Sequence, residues 1–193
     1  MGGSIDKRGN LDLQKLHMKL CDFGFACVCD GATLTQVCGT PDYVAPEVIS
    51  RKPYDFSCDI WSAGVLVFIL LGGYAPFQAK DPDDRDALFK IIKTGKFKFH
   101  EKYWKGISKE AKDFIAKMLT LDLGKRATAE ELLTHEWVGL DPSELQHELD
   151  LTNLKEFNAK RKLRAVGKAV IGIQRMKSAV AGFSMGAHHS SGG

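Results

Sequence analysis

The side chains of this 193-residue chain that could do chemistry gather early. From Asp22 to Glu47 three acids, Asp22, Asp42 and Glu47, stand in two short fixed runs, Asp22-Phe23-Gly24 and Cys38-Gly39-Thr40-Pro41-Asp42-Tyr43-Val44-Ala45-Pro46-Glu47. Among them lie hydroxyls at Thr33, Thr35 and Thr40 and thiols at Cys21, Cys27, Cys29 and Cys38, with a fifth thiol at Cys58. An odd cysteine count behind no signal peptide predicts free thiols in a reducing, intracellular compartment. Cys27-x-Cys29 is one short pair without a second pair or a neighbouring His, which falls short of a zinc set. Asp81 to Asp86 lacks the spaced ligands and the Gly of a calcium loop, so it reads as a solvated helix start. His188-His189 is too short to be a metal tag, and His135 before Glu136-Trp137 reads as a packed histidine.

The two runs occur in an order that carries more information than either alone. Asp-Phe-Gly followed by Gly-Thr-Pro-x-Tyr-x-Ala-Pro-Glu resembles the activation segment of a protein kinase. Asp59-Ile60-Trp61-Ser62-Ala63-Gly64-Val65, then Ile69-Leu70-Leu71-Gly72-Gly73-Tyr74-Ala75-Pro76-Phe77, resembles the central helix of the kinase C-terminal lobe and the loop after it. Lys125-Arg126-Ala127-Thr128-Ala129-Glu130-Glu131-Leu132-Leu133-Thr134-His135-Glu136-Trp137 resembles the closing helix, and Leu154 to Leu163 resembles a regulatory segment. The combination is similar to the calcium/calmodulin-dependent serine/threonine kinases over about residues 18–177.

That resemblance implies roles for particular residues. Asp22 would hold Mg²⁺ against the phosphates of ATP, with Phe23 packed beneath it and Gly24 as a backbone pivot. Cys21 takes a position lining the adenine pocket, although a small buried thiol is the plainer reading. Thr40 would hydrogen-bond the catalytic aspartate. Relatives switched by loop phosphorylation carry Ser or Thr where this chain has Gln36, which leaves the neighbouring Thr35 as the candidate phosphosite. Glu47 would form a buried pair with Arg126. Asp59 would hold the catalytic loop, against the simpler reading of a first-turn acid favoured by the helix dipole. Kinases that read a second arginine near the target serine often carry Glu at the place of Ile69, so that preference is not implied.

The expected catalytic loop, His-Arg-Asp followed by a metal-binding Asn, is not matched in residues 1–21, nor is there a glycine-rich loop or strand lysine. Asp59 is therefore expected to be at least half-buried without its partner, and the chain to be a piece of a longer protein.

The elements that must position these residues follow from periodicity. The expected fold class is mainly α: a kinase-like C-terminal lobe with a short strand, Leu16 to Leu20, before the activation segment, and a C-terminal regulatory helix. Phe56 to Leu71 is apolar all round and predicts a helix buried on every side. Pro46 opens a short helix running to Ser50. Ala87 to Lys93 reads as helix and Lys96 to Phe99 as an extended connection. Ala111, Phe114, Ile115, Met118 and Leu119 form a core-facing stripe behind a Ser108 cap. Thr128 with Glu131 makes a capping box. The expected organisation is a loose lead-in over 1–17, a partial kinase domain over 18–138, a connector and autoinhibitory, calmodulin-binding segment over 139–177, and a disordered tail over 178–193.

Charge locates the partner. Lys155 to Lys177 holds eight basic residues and one acid, about +7, so a chain of net +3 carries about −4 elsewhere. A balance so small speaks against nucleic acid, and the apolar run Ala63 to Leu71 is too short for a membrane span. The resemblance implies calmodulin as a partner through Phe157, Leu163, Val170 and Met176, the last three at positions one, eight and fourteen. It also implies protein substrates with basic recognition sites, ATP and Mg²⁺ in the intact parent, and a cytoplasmic setting. The expected function is a partial serine/threonine kinase, inactive as this chain, the alternative being a non-catalytic calmodulin- or kinase-binding module. A third reading is a calcium-dependent kinase whose EF-hands have been lost from its end.

Overall fold

The computed structural model describes residues 19–29, 34–140 and 152–164. Helices dominate them: α1 (Pro46–Ile49), α2 (Ser57–Gly72), α3 (Arg85–Thr94), α4 (Glu101–Trp104), α5 (Lys109–Met118), α6 (Ala129–Leu133) and α7 (Glu136–Gly139), with a 3₁₀ turn at Pro41–Tyr43. Residues 152–164 form a further helix, α8.

The fold is built around α2. Trp61, Val65 and Phe68 on it are fully buried, and Phe77, Ile92, Trp104 and Ile115 close over them from four other segments. Phe68 sits at the centre of an aromatic cluster, its ring centroid 4.7 Å from Trp104, 5.1 Å from Tyr74 and 5.6 Å from Phe99. Tyr74 anchors that cluster by polar contacts: its hydroxyl accepts from Trp104 Nε1 at 2.8 Å and from the His100 amide at 3.1 Å, and donates to the Lys98 carbonyl at 2.9 Å. The extended stretch Lys96 to Phe99 thereby turns Phe97 and Phe99 inward. A second cluster of Phe114, Met118, Ala127 and Leu132 joins α5 to α6.

Gly64 explains how closely α5 approaches α2, since a Cβ there would sit 2.8 Å from Met118 Cβ. The expected stripe faces inward, with Ala111, Phe114, Ile115 and Met118 all buried. Ser108 caps α5 by accepting the Ala111 amide at 3.1 Å, and Asp84 caps α3 through Ala87 at 2.9 Å. At α6 the box is reciprocal: Thr128 Oγ1 accepts from the Glu131 amide at 3.2 Å, and Glu131 Oε2 accepts from the Thr128 amide at 2.9 Å. Thr128→Ala is expected to lower stability by about 1 kcal/mol, read by urea denaturation. A change under a few tenths would mean that packing of Leu132 alone holds α6.

Two expectations about these elements need correction. Lys19 and Leu20 are not in a strand, and Leu20 is 89% exposed. A strand's backbone groups need a ladder partner, and the one β-bridge among the described residues joins Leu34 to Tyr54. Leu16 to Met18 lie outside the described residues. Nor is α2 buried on every side: Leu66 and Leu70 are 48% and 44% exposed, and Ile60 is half-buried. The apolar sequence of α2 therefore leaves one flank uncovered. Phe56 at its start and Phe23, Phe25 and Val28 in the loop ahead are also largely exposed.

Candidate functional site: the activation segment, its anchor and helix α8

Glu47 is the second residue of α1, whose first is Pro46, where a missing amide hydrogen costs nothing. Arg126 follows the turn after α5. Seventy-nine residues apart in sequence, they meet as a bidentate pair, Nη1 to Oε1 at 2.7 Å and Nη2 to Oε2 at 3.0 Å, and both side chains are buried. Two further donors of the guanidinium reach the Thr120 carbonyl at 2.9 Å, from Nε, and the Ser57 carbonyl at 3.0 Å, from Nη1. Its Cζ atom lies over the Trp61 ring, 5.2 Å from the centroid. A buried charge pair contributes only when such extra hydrogen bonds satisfy the groups left over, and here they do. The pair ties the end of the activation segment to the start of α2.

Further contacts hold the segment, and sequence reading missed them. Tyr54 exchanges two backbone hydrogen bonds with Leu34, at 2.8 and 3.0 Å, and its hydroxyl donates to the Gln36 carbonyl at 2.5 Å. Ser62, one turn into α2, donates to the Tyr43 carbonyl at 2.8 Å. Neither residue belongs to a spacing pattern. Ser62 lies inside the kinase-like run Asp59 to Val65 and Tyr54 just ahead of it, which was the available signal.

Five more of the predicted residues, Cys21, Asp22, Phe23, Thr40 and Asp59, border one cleft of about 530 Å³ between the loop and α2, whereas Gly24 and Thr35 are not among its lining residues. Asp22 is exposed, with φ of +67°, and its Oδ1 accepts the Gly24 amide at 3.4 Å. An open carboxylate on the cleft is suited to a hard cation. It is a single ligand, so a metal nucleotide would need further groups. Phe23 is 68% exposed rather than packed beneath Asp22, because no described element lies under it. Cys21 is exposed, against the reading of a buried thiol.

Asp59 is also exposed, not half-buried. It takes the first turn of α2, where the helix dipole favours it, and accepts a long hydrogen bond from the Cys58 thiol at 3.8 Å. Thr40 and Thr35 are exposed, and the Thr40 side chain caps nothing. Ile69 is buried, at 4% exposure.

His135 is a packed residue. Its Nδ1 accepts the Trp137 amide at 3.2 Å and its Nε2 lies 3.0 Å from Asp113 Oδ2. Lys117, at 2.9 Å, and then His135 hold the Asp113 carboxyl below its usual range.

Helix α8 lies against the lobe. Leu154 and Phe157 pack on the α2 core, and Asn153 meets Gly73 so closely that a Cβ on Gly73 would lie 2.4 Å from Asn153 Cβ. Gly73 ends α2 with φ of +70°, a conformation and an approach that only glycine allows. Lys155, Lys160, Arg161, Lys162 and Arg164 are exposed, and Leu163 is 75% exposed. Val170 and Met176 lie outside the described residues. No described helix is long and apolar enough to cross a membrane.

Comparison with known proteins agrees with this geometry. The protein kinase domain family matches residues 7–138. The match begins inside the stretch read as a lead-in. Serine/threonine-protein kinase DCLK3 of Mus musculus is 46% identical over 125 residues, covering 65% of this chain and 16% of the relative. Calcium/calmodulin-dependent protein kinase type 1 of Macrobrachium nipponense is 39% identical over 161 residues, covering 82% and 46%. Myosin light chain kinase A of Dictyostelium discoideum is 40% identical over 147 residues, covering 76% and 48%. The chain thus spans less than half the length of each of these relatives. With its activation segment anchored by a buried ion pair to a helical lobe, the chain belongs to the protein kinase family.

Proposed function

We propose that this chain carries the C-terminal lobe of a calcium/calmodulin-regulated serine/threonine kinase, with α8 and the basic residues after it as the regulatory element. The whole protein would transfer the γ-phosphoryl group of ATP to serine or threonine of a protein substrate, with Mg²⁺ neutralising charge on the phosphates. Asp22 would hold that Mg²⁺. The match from residue 7 draws in a second candidate, Asn10, because Lys7-Arg8-Gly9-Asn10 stands where the latter half of a catalytic loop is expected. It lies outside the described residues.

The observation that carries the reading is the double use of α8. Phe157 is packed on the lobe, while five basic side chains and Leu163 face outward. Calmodulin grips large apolar anchors in Met-rich pockets and is itself acidic, so the exposed side of α8 suits the first encounter. Phe157 cannot serve the lobe and calmodulin together. Calcium-loaded calmodulin would therefore draw α8 off the lobe by its preference for the freed helix. The names of the relatives support this, two of them being a calcium/calmodulin-dependent kinase and a myosin light chain kinase. Asp150 stands where one branch of the family autophosphorylates, so sustained activity by that route is not proposed.

Calorimetry of calmodulin with a peptide of residues 154–178 tests the partner. The expected result is calcium-dependent binding that weakens at least about tenfold, 1.4 kcal/mol, in the double variant Leu163→Ala, Met176→Ala. Binding that ignores calcium would remove calmodulin from the account. The alternative, a non-catalytic interaction module, is separated from a kinase by the coding sequence upstream of Met1. An in-frame His-Arg-Asp and strand lysine there would favour the enzyme.

A further inference from the structure

Helix α8 is seated through its first two turns. Asn153, Leu154, Phe157 and Asn158 are half-buried, one stripe at helical spacing, while Ala159 to Arg164 are exposed. Leu154 and Phe157 pack on the α2 core, and the stripe begins against Gly73, the left-handed residue that ends α2. A β-carbon on Gly73 would stand 2.6 Å from the Asn153 carbonyl carbon and 2.8 Å from the Leu154 amide nitrogen, besides meeting Asn153 Cβ. Two of these three neighbours are backbone, which no change of rotamer swings aside.

One of the two elements would have to move. The end of α2 is fixed: the Gly73 amide donates to the Ile69 carbonyl at 2.9 Å, and the Trp104 ring fills the place of a Gly72 side chain. The next residue, Tyr74, is held by the three hydrogen bonds of its hydroxyl. Helix α8 rests on a stripe of four half-buried residues, so α8 is the element that gives way. A β-carbon on Gly64 or Gly72 would instead strike Met118 or Trp104, inside the lobe. Among the described glycines Gly73 is the one that faces α8.

We infer that Gly73 is the latch of α8: its missing side chain seats the helix, and a side chain placed there releases it. The latch itself is a matter of packing, whereas its link to calmodulin rests on the regulatory reading of α8 given above. Phe157 serves the lobe while α8 is seated, so the apparent affinity for calmodulin is lowered by the fraction of molecules in which the helix is free. With a released fraction of at most about 10%, full release should tighten calmodulin binding by at least about tenfold.

The test variant is Gly73→Asn, because Asn tolerates the left-handed conformation at φ of +70° and adds a β-carbon with little backbone strain. Hydrogen exchange of the whole 193-residue chain, with no calmodulin present, should run faster over 153–158 in the variant than in wild type, with α2 and α5 unchanged. Calcium-loaded calmodulin should then bind the variant at least about tenfold tighter than the wild-type chain, close to its affinity for the peptide of residues 154–178. Unchanged exchange over 153–158 in a folded variant would overturn the latch. So would a wild-type chain that binds calmodulin as tightly as the free peptide, a comparison that needs no variant to fold. Faster exchange over 153–158 beside a peptide that ignores calcium would uphold the latch and remove calmodulin alone.

Discussion

Arg126→Met is expected to cost about 3–5 kcal/mol of stability, a large share of the roughly 5–15 kcal/mol that holds a typical domain. The reason lies in what remains. Glu47 has a side chain only 5% exposed, and without Arg126 its carboxylate keeps neither a partner nor water. The Thr120 and Ser57 carbonyls lose their donors at the same time, and the Trp61 ring loses the cation above it. Urea denaturation followed by tryptophan fluorescence measures the loss. The double variant Glu47→Leu, Arg126→Met should recover part of it, because it removes the stranded charge as well. A double variant as unstable as the sum of the two single changes would show that the residues act separately, and the anchor would then not be an ion pair.

The purified 193-residue chain is expected to transfer no phosphoryl group at a rate above the uncatalysed background. Phosphoryl transfer depends on positioning the nucleotide and neutralising charge as it develops, and supplying one such group can be worth about 10³–10⁵ in rate. The sequence offers Asp22 and Asn10 but no glycine-rich loop, no strand lysine and no His-Arg-Asp. Asp22 stands open to solvent, with Phe23 swung out beside it. The measurement is ATP-dependent labelling of a basic serine peptide, with and without Asp22→Ala. Labelling that Asp22→Ala abolishes would contradict the expectation. The same exposed flank, Phe23, Phe25, Phe56, Leu66 and Leu70, predicts that the chain binds hydrophobic dyes and aggregates when concentrated.

Much of the helical lobe was legible because local rules and packing agree there. The Ser108 cap and the stripe behind it, and the reciprocal Thr128–Glu131 box, need only spacing to be read. The Glu47–Arg126 contact needed more, since no local pattern joins positions seventy-nine apart; the resemblance to a kinase brought them together. Where the reading failed, the cause is context outside the segment itself. A strand at Leu20 has no described ladder to join, and Phe23 has nothing beneath it. Composition made α2 look buried all round, yet burial depends on what stands opposite, and Leu66 and Leu70 face solvent. Asp59 was expected in a half-buried place and is exposed on that same open flank. Tyr54 and Ser62 were missed because a single side chain that clamps a backbone carbonyl leaves no periodic trace.

Hydrogen exchange of the intact chain, with and without calcium-loaded calmodulin, tests the central claim most directly. If α8 is a regulatory helix seated on the lobe and lifted by calmodulin, residues 157–176 should gain protection while the lobe surface around Gly73 and Tyr74 loses it. Both changes should vanish on chelating calcium. Protection of 157–176 with no loosening at Gly73, or changes that persist without calcium, would contradict the account.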